Sequence, residues 1–496
     1  MGGAVRDAVL GIPNKDVDIE CYGVSYDKLE SVLKSIPGSF VDSVGKSFGV
    51  IKFRDHDGEE YDFSVPRRDS KKGDGHKGFE VEFDTTITPR EAAARRDFTM
   101  NAFAYDPFTH KVLDFYGGMS DLENKILRHT SDAFSEDPLR VLRGMQFAAR
   151  MGLKVAPETA ELAKSIIDQY PSISNERVEQ EWHKLVTKGK SPGSAIQYLI
   201  DTGWIDHFPE IKNMVGIEQD PEWHPEGRVE THTAHVMDAA SVIADREKLT
   251  GDERAVLIYA ALAHDFAKAH TTELREKDGK MRWTAHGHEK AGGPLAKEFL
   301  ERMGVKKSII AKVVPLVENH LVHINFKNNM RPGAVKNLAE QLYPATIQEL
   351  MWLVEADHSG RPPLPKGMPP EATELHDLAR THNVHMGKIE PLLQGRDLMK
   401  YPITPGPLIG EILQAARKAQ LDHKITNKPE AEAWLKNAIR PYIALIKGND
   451  PVVEEVGATK SEIGKLLNIA FDAQLRGEFD TIDGARSWIR NNYVNK

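Results

Sequence analysis

The sequence predicts an α+β protein in which a small head of mixed strands and helices precedes a long helical body. Strand-like segments rich in aromatic and β-branched residues, such as 48–53 and 61–65, lie before about residue 120. After that point strand signals nearly vanish, and apolar residues recur at helical spacing, as Leu139, Leu142 and Met145 do. The chain has 496 residues, and at about 150 residues per domain it is expected to form about three domains.

The order of the elements can be followed along the chain. The turn-forming run 55–58 separates the two strand-like segments, so we expect a hairpin. Three breaks interrupt the helical part: a loop-rich stretch at 207–227, a proline-rich stretch at 361–370 that is typical of a stiff linker, and a turn at 448–451. These features predict four segments, which are a head at 1–122, a neck at 123–215, a helical domain at 216–365 and a helical tail at 366–496.

The tail contains an internal repeat. Ile409–Leu413 aligns with Ile463–Leu467 at an offset of 54 residues, and at the same offset Trp434 meets Trp488. The simplest interpretation is a duplicated helix-pair module.

The composition is that of a globular protein, with 40% hydrophobic and 28% charged residues. Lysine and arginine number 65 against 74 acidic residues, so the net charge is −9, unlike the basic bulk of many nucleic-acid-binding domains. Cys21 is the only cysteine, which excludes an intramolecular disulfide framework and a multi-cysteine metal site and favours a reducing compartment. Because the apolar runs are far shorter than the roughly 18 residues of a membrane span, we predict a cytoplasmic enzyme.

Asp16 and Asp18 stand two residues apart in a predicted strand. Alternate strand residues point to the same face, where two carboxylates can hold two divalent cations about 4 Å apart for phosphoryl transfer. A solvated strand face gives the same spacing, but Gly2-Gly3 lies just upstream, where backbone amides without side chains can approach a triphosphate. Asp62, on the second predicted strand, is a candidate third acidic group.

The segment 95–102 is a second candidate site. It fits an exposed basic helix start, and it also fits an anion clamp. In the clamp Arg96 would hold phosphates, while Asp97 and Asn101 would bind ribose hydroxyls.

Asp137 and Arg140 flank Pro138, which suits the first position of a helix. Asp137 is therefore either an N-cap or one half of a pair that shares a helical face with Arg140. An aspartate beside an arginine presents an acceptor next to a donor. This order matches the Watson–Crick edges of cytosine and adenine and not those of guanine and uracil, so the pair can select nucleotides without a template.

Five motifs resemble, in their order, those of the class II tRNA nucleotidyltransferases, the CCA-adding enzymes of the DNA polymerase β superfamily. They are Gly2–Asp7, Asp16–Asp18, Arg95–Asp97, Glu136–Arg140 and Glu176–Val178, and the resemblance covers about residues 1–215. It implies a polymerase-β-like head in which Asp16 and Asp18 are catalytic and bind Mg²⁺. It also implies nucleotide binding by Gly3, Arg6, Arg96, Asp97, Asn101, Asp137, Arg140, Arg143 and Arg177. Members of this family carry a helix and a strand before the Gly-Gly turn at which this sequence begins.

The same resemblance implies tRNA, CTP and ATP as partners, for a chain that is a monomer or a homodimer. Since the whole chain is acidic, we expect the RNA backbone to meet a local basic stripe in the neck. Its candidate residues are Lys154, Lys164, Arg177, Lys184, Lys188 and Lys190.

The helical domain holds an unusual group of histidines and aspartates. A lone histidine on a helix is usually structural, but the adjacent pair His264-Asp265 lies between an upstream His232 and a downstream Asp357. Imidazole and carboxylate together suit catalytic divalent transition metals, and a bound metal ion supplies hydroxide for phosphoester hydrolysis.

This second pattern resembles the HD phosphohydrolase superfamily. His232, His264, Asp265 and Asp357 match its core metal ligands, and His288 and His320 match the further ligands of a two-metal version. Proteins that fuse such a domain to the nucleotidyltransferase form the family of multifunctional CCA proteins. The resemblance implies hydrolysis of 2′,3′-cyclic phosphodiesters, 2′-nucleotides or phosphomonoesters with bound Ni, Mn, Fe or Zn, and Lys268 is a candidate contact for the substrate phosphate.

The leading hypothesis is template-independent addition or repair of the 3′ CCA end of tRNA, together with a metal-dependent phosphohydrolase activity. A bacterial poly(A) polymerase and a CC-only or A-only enzyme share the motifs of the head. Residues 66–88, rich in lysine, arginine and glycine, are a candidate for the flexible loop that helps to switch from C to A, which favours the full activity. Two other hypotheses are an HD phosphohydrolase as the main activity and an RNA-binding protein with an inactive head.

Overall fold

The computed structural model describes the chain except for residues 15–16, 43–48, 72–78, 278, 327–330, 402, 404–405, 423 and 494–496. It divides into two compact units. Unit 1 comprises Met1–Asn329, Gln341–Leu378 and His385–Gly387, and unit 2 comprises Met330–Glu340, Ala379–Val384 and Lys388–Lys496. The proline-rich stretch 361–370 lies inside unit 1, so it does not separate the two units. The limits of the four segments stay predictions.

The head opens unit 1 and contains the expected mixture of strands and helices. Its elements are α1 (Gly3–Val9), β1 (Val17–Glu20), α2 (Tyr26–Lys34), β2 (Phe40–Asp42), β3 (Val50–Arg54), β4 (Glu60–Ser64), β5 (Arg67–Lys71), β6 (Phe79–Phe83), α3 (Pro89–Ala94), β7 (Ala104–Asp106), β8 (Lys111–Leu113) and α4 (Gly118–Glu123). The main sheet has the strand order β1-β4-β3-β2. Strand β1 runs parallel to β4, which places Asp18 directly opposite Asp62.

The predicted hairpin is confirmed, since β3 and β4 pair in antiparallel register. Asp55 closes its turn, because the Asp55 Oδ1 atom accepts hydrogen bonds from the backbone N–H groups of Asp57 and Glu59, both at 2.9 Å. A core of apolar side chains from α2 and the sheet stabilises the strand that carries Asp62. Its buried members are Tyr26, Leu29, Leu33, Ile51, Phe53 and Val65.

The neck is helical, as the spacing of its apolar residues predicts. Its elements are β9 (Ile126–Leu127), α5 (Leu139–Met151), β10 (Lys154–Val155), α6 (Pro157–Ser165), α7 (Asn175–Lys188), α8 (Ser194–Asp201) and α9 (Pro209–Lys212). Leu142 and Met145 on α5 are completely buried. Helices α5 and α8 approach closely at Gly144, where an added Cβ would lie only 2.2 Å from the Tyr198 Oη atom.

The next elements along the chain include the helices that carry the histidine-rich region. The elements are α10 (Val229–Arg246), α11 (Gly251–Ala263), α12 (Lys268–Thr271), β11 (Thr272–Lys277), β12 (Lys280–Ala285), α13 (His288–Arg302), α14 (Lys307–Asn319), α15 (Val322–Phe326), α16 (Pro332–Leu342), α17 (Ile347–Ser359) and α18 (Pro370–Thr381). Helix α17 begins at a capping box: the Thr346 Oγ1 atom accepts from the Glu349 backbone N–H at 3.1 Å, and the Glu349 carboxylate accepts from the Thr346 N–H at 2.9 Å. This box orients the helix that carries Asp357.

The antiparallel hairpin β11–β12 is a local exception in the predicted helical body, as is the short parallel pair β9–β10 of the neck. The ladder of the hairpin runs from the pair Thr272–Ala285 to the pair Lys277–Lys280. Almost every residue of β11 is exposed, so the strand lacks the alternation of apolar and polar residues that marks a half-buried strand. The sequence pattern therefore gave no strand signal here.

The tail elements of unit 2 are α19 (Gly395–Leu398), α20 (Pro407–Leu421), α21 (Lys428–Ile443), α22 (Pro451–Glu455), α23 (Ile463–Leu475) and α24 (Ile482–Asn492). They enclose two separate apolar cores. Core residues of the first recur in the second at the 54-residue offset of the sequence repeat, as Ile412 and Leu466 or Ala431 and Ala485 do. Among the helices that the structure describes, none combines the length and the apolar character needed to span a bilayer.

Candidate active sites

The carboxylates of the head lie in a small cleft beside strands β1 and β4. The cleft has a volume of about 120 Å³, and its lining includes Asp18, Glu20, Asp62, Arg95 and Arg96. Because Asp18 and Asp62 are register partners on adjacent parallel strands, their side chains leave the sheet on the same face. Hard carboxylate oxygens are the donors that Mg²⁺ prefers, so the described residues fit this ion. Asp16 lies outside the described residues.

The Gly-Gly turn borders the same cleft. Gly2 has a φ of 66°, in the left-handed region that glycine adopts without strain. A Cβ atom at Gly2 would lie 2.6 Å from the Arg96 Nη1 atom. Glycine at this position therefore lets the backbone approach the Arg96 guanidinium, which brings the first predicted motif and the predicted anion clamp together.

A chain of buried polar side chains connects this turn with the neck. The Arg6 Nη1 atom donates to the Asn101 Oδ1 atom at 2.5 Å, the Asn101 Nδ2 atom donates to the Asp97 Oδ1 atom at 2.9 Å, and the Arg143 Nε atom donates to the Asp97 Oδ2 atom at 2.7 Å. Burial by itself would raise the pKa of Asp97, but the Arg143 charge and the hydrogen bonds outweigh it and lower that pKa. Asp97 is therefore ionised and holds Arg143 and Asn101 in fixed positions.

Asp137 and Arg140 both lie at the start of α5, but each has another partner. The Asp137 Oδ1 atom accepts from the Leu139 backbone N–H at 3.1 Å, and its Oδ2 atom accepts from the Arg177 Nη2 atom at 3.0 Å. The Arg140 Nη1 atom donates to the Ala133 carbonyl at 2.7 Å. The Asp137 carboxylate thus binds the first backbone N–H of α5, although Pro138 occupies the N-cap position itself, and Arg177 fixes the second oxygen of Asp137.

The six basic residues of the neck do not form an uncompensated positive stripe. Four of them form ion pairs at 2.7–3.0 Å, which are Lys164 with Glu161, Arg177 with Asp137, Lys184 with Glu181 and Lys190 with Asp245. The pairs of Lys164 and Lys190 are exposed and contribute little to stability, whereas those of Arg177 and Lys184 are partly buried. An RNA phosphate would therefore have to displace carboxylates from most of these residues.

The second site brings the six predicted histidine and aspartate ligands of the helical domain together from five helices and their ends. Two groups have ligand atoms that all lie within 4.8 Å of one another: His232 with His264 and Asp357, and Asp265 with His288 and His320. The His232 Nε2 atom is 3.1 Å from the Asp357 Oδ1 atom, and the His288 Nε2 atom is 3.2 Å from the His320 Nε2 atom. The predicted two-metal set therefore forms one cluster.

Hydrogen bonds on the far side of the rings direct the Nε2 atoms toward this cluster. The Nδ1 atoms of His264, His288 and His320 lie 2.6–2.7 Å from backbone carbonyl oxygens. A carbonyl only accepts, so each Nδ1 atom carries the hydrogen and each Nε2 atom keeps a lone pair for a metal ion.

Glu226 does the same for His232, and sequence reasoning missed it. The Glu226 Oε1 atom lies 2.8 Å from the His232 Nδ1 atom and 2.9 Å from the His224 Nδ1 atom. Burial raises the pKa of Glu226, but hydrogen bonds from these two rings outweigh it and lower that pKa to about 2. The segment 207–227 resembles a simple break in the sequence, and only the proximity of His224 and Glu226 to His232 in space reveals their role.

The charge state differs from ring to ring within the cluster. Burial opposes the charge on His232, but the hydrogen bonds to Asp357 and Glu226 prevail and raise its pKa to about 9. Burial, together with the neighbouring His288 and His264, lowers the pKa of His320 to about 3. Both Asp265 oxygens are buried and accept no well-directed hydrogen bond from the described residues, although the Lys268 Nζ atom is 2.8 Å from the Asp265 Oδ2 atom. These carboxylate oxygens and the Nε2 lone pairs together form a donor set for divalent transition metals.

In the head, carboxylates on strands lie beside a glycine turn, which defines a nucleotidyltransferase. The same chain carries a histidine–aspartate cluster on helices, which defines a metal-dependent phosphohydrolase domain. Family models match the chain as the poly A polymerase head domain at 1–128, the HD domain at 229–359 and tRNA nucleotidyltransferase domain 2 at 372–434. The multifunctional CCA protein of Xanthomonas campestris pv. campestris (strain B100) is 33% identical over 432 residues, which cover 85% of this chain and 97% of the relative. That of Vibrio vulnificus (strain YJ016) is 34% identical over 387 residues, covering 76% and 88%. The chain belongs to the multifunctional CCA protein family.

Solved structures show the same fold. The CCA-adding enzyme of Bacillus stearothermophilus in complex with CTP superposes with a TM-score of 0.55 at 22% identity, over 89% of this chain and 92% of that chain. The Thermotoga maritima CCA-adding enzyme complexed with tRNA_CCA has a TM-score of 0.52 at 18% identity, over 88% and 90%. The predicted family, fold class and enzyme class are thereby confirmed: the chain is a CCA-adding nucleotidyltransferase with an HD domain that supports a phosphohydrolase activity.

Proposed function

We propose that the head adds or repairs the 3′ CCA end of tRNA with CTP and ATP, and that Asp16, Asp18 and Mg²⁺ carry this reaction. The observation that supports the proposal most is the placement of Asp18 opposite Asp62, beside the Gly2–Arg96 contact. Solved structures of related CCA-adding enzymes are complexes with CTP, with ATP and with tRNA. Mg²⁺ supplies the charge that stabilises an attacking hydroxyl and a departing pyrophosphate.

The residues of this chain then have separate tasks in the head. Arg96, next to the Gly2-Gly3 turn, holds the triphosphate, and the ordered Asp97 and Asn101 side chains bind the ribose. Asp137, fixed by Arg177, accepts a hydrogen bond from the amine of cytosine or adenine. A guanidinium has five N–H donors, so Arg140 can keep its bond to Ala133 and still donate to the base.

Asp18→Ala tests the catalytic role. We expect nucleotide incorporation into a tRNA that lacks CCA to fall at least about a thousandfold, because the ligand of the charge-stabilising ion is lost. Binding of the tRNA, measured by filter retention, should stay within about twofold. Asp57→Ala is the matched control, since Asp57 is an exposed aspartate on the β3–β4 turn of the same sheet. Incorporation by Asp18→Ala at the control rate would refute the assignment.

For the HD cluster we propose hydrolysis of phosphoesters with Mn, Ni, Fe or Zn bound by His232, His264, Asp265 and Asp357, and by His288 and His320. Lys268, which lies against Asp265, is the group placed to meet the substrate phosphate. The cytoplasmic location and the choice between monomer and homodimer stay predictions.

Asp265→Asn tests this proposal without changing the volume of the side chain. Asp265 is the acidic residue nearest to both ligand groups, so we expect loss of bound Mn²⁺ in equilibrium dialysis together with loss of 2′,3′-cyclic AMP hydrolysis. CCA addition by the head should remain. Unchanged metal content together with unchanged hydrolysis would refute the role of Asp265 as a ligand.

A further inference from the structure

The cavity above the histidine cluster is polar at its buried floor and carries apolar side chains at its mouth, where it opens to solvent. It has a volume of about 290 Å³, close to the lower end of the roughly 300–1,000 Å³ that ligand pockets occupy. Its floor is formed by the buried side chains of Asp265, His288 and His320. Its lining also includes Trp223 and Trp283, whose exposed fractions are 59% and 36%. The candidate metal ligands thus lie below two indole rings that are accessible to solvent.

Specific contacts hold the two indoles on the same cavity. Trp283 belongs to β12, and its neighbour Arg282 donates from the Nη2 atom to the Glu222 Oε2 atom at 2.6 Å and lies 3.3 Å from the Asp220 Oδ2 atom. Asp220 and Glu222 belong to the loop that carries Trp223. Arg282 therefore ties the hairpin to the loop, so that one tryptophan from each element lines the cavity.

These tryptophans differ from those that support the fold. Trp182 and Trp204 are 1% and 0% exposed and form part of the neck core, which is the usual position of so large an apolar side chain. Ile324, on the same cavity as Trp223 and Trp283, is also 56% exposed. Apolar groups grouped in this way around a polar cleft are typical of a ligand-binding surface.

The geometry points to Trp223 and Trp283 as a base-stacking mouth, through which the HD cluster selects phosphoesters that carry a nucleobase. The inference rests on the proposed phosphohydrolase function and adds its specificity residues. The phosphate would lie over the cluster between Lys268 and Arg361, which line the same cavity, and the base would lie against the indoles. Stacking tolerates every base, because every base has a π-face.

The chemistry at the phosphorus needs only water. Its oxygen forms a new bond to the phosphorus of a 2′,3′-cyclic phosphate, one ester P–O bond breaks, and the released ribose oxygen takes the proton. The product is a nucleoside monophosphate. A free cyclic nucleotide and the 3′ end of a cleaved RNA present this same group.

The test compares two cyclic esters that differ in the base. In Trp283→Leu and Trp223→Leu, we expect the KM for adenosine 2′,3′-cyclic phosphate to rise roughly tenfold, the size expected for the loss of one stacking contact, with little change in kcat. Hydrolysis of glycerol 1,2-cyclic phosphate, which has no base, should not change. Trp283→Phe should recover most of the affinity, because it keeps an aromatic face. Met281→Ala, an exposed position on the same strand outside the cavity, is the matched control.

A binding measurement keeps the inference separate from the hydrolytic activity. Titration of adenosine 3′-monophosphate by calorimetry, with EDTA present, should give a Kd about tenfold weaker in Trp283→Leu than in the unmodified protein. Equal Kd values, or equal losses on both cyclic esters, would overturn the inference. If the unmodified protein hydrolyses neither ester with any metal but still binds the nucleotide through Trp283, the phosphohydrolase proposal fails and the base-binding mouth stands.

An assay with an RNA substrate shows whether the stacked base belongs to a free nucleotide or to the end of an RNA. An RNA that ends in a 2′,3′-cyclic phosphate and shows the same Trp283 dependence as the mononucleotide assigns the mouth to RNA ends. A Trp283 dependence that is confined to the mononucleotide assigns it to free nucleotides. Both results support base stacking, whereas hydrolysis of the RNA and of the mononucleotide that is in both cases equal for Trp283→Leu and for the unmodified protein contradicts it.

Discussion

The imidazole rings of the HD cluster are oriented by acceptors that lie outside it. Three rings donate from Nδ1 to carbonyl oxygens three residues earlier in the chain, and the His232 Nδ1 atom lies 2.8 Å from the Glu226 carboxylate. A ring that is fixed in this way offers Nε2 to a metal ion without losing further rotational freedom. The tautomers of His264, His288 and His320 are therefore properties of the fold, whereas His232, whose pKa is raised, would have to lose its Nε2 proton to bind a metal ion.

The grouping of the six candidate ligands could be predicted because their residue types and order follow a known motif. The orienting groups could not, since three of them are backbone carbonyls and the fourth, Glu226, lies in a loop without a periodic pattern. In the head, the sequence predicted Asp137 and Arg140 as a pair. The structure shows that Asp137 contacts Arg177, which is 40 positions away in the sequence, and such a partner is visible only in three dimensions.

Arg140→Ala tests base selection. Loss of a donor that faces the base should remove about 1–3 kcal/mol of discrimination, so we expect incorporation of UTP and GTP to rise roughly tenfold or more relative to CTP and ATP. The measurement is single-nucleotide extension with each of the four triphosphates. Lys188→Ala, an exposed cation on α7, should leave the ratios unchanged. If Arg140→Ala keeps the original selectivity, Arg140 does not contact the base.

Among the elements, the helices were the easier to predict. Helix α5 buries Leu142 and Met145 at the spacing that its sequence shows, and the hairpin β3–β4 follows from its apolar strands and turn residues. The hairpin β11–β12 differs because four of the six residues of β11 are charged and most side chains of the hairpin are exposed. The backbone pairing of β11 with β12 and the ion pairs of Arg282 with Asp220 and Glu222 hold it in place. These contacts are not visible in the local sequence pattern.

Two glycine-to-alanine substitutions test the helix packing, one in the neck and one in the tail. At Gly144 the new methyl group would meet the buried Tyr198 and Phe98 side chains, so we expect a loss of about 1–3 kcal/mol in the free energy of unfolding. Gly410, inside α20, has open space around it, and its substitution should stabilise the tail by up to about 1 kcal/mol. Urea denaturation followed by circular dichroism measures both. A neutral Gly144→Ala would contradict the close approach of α5 and α8.

For the whole molecule, the overall charge proved a poor guide to function. The net charge is −9, and most of the basic residues of the neck are engaged in ion pairs. The assignment to a CCA-adding family rests on the order of short motifs and on similarity along most of the chain. In the tail, the 54-residue repeat of the sequence predicts two similar apolar cores, but it indicates no catalytic or binding function.

Extension of a tRNA that ends at the discriminator base tests the central claim most directly. The unmodified chain is incubated with CTP alone, with ATP alone, or with both, and the products are resolved at single-nucleotide length. We expect two added residues with CTP alone, three with both nucleotides and none with ATP alone. Long adenylate tails with ATP alone, or no extension under any condition, would contradict the proposed function.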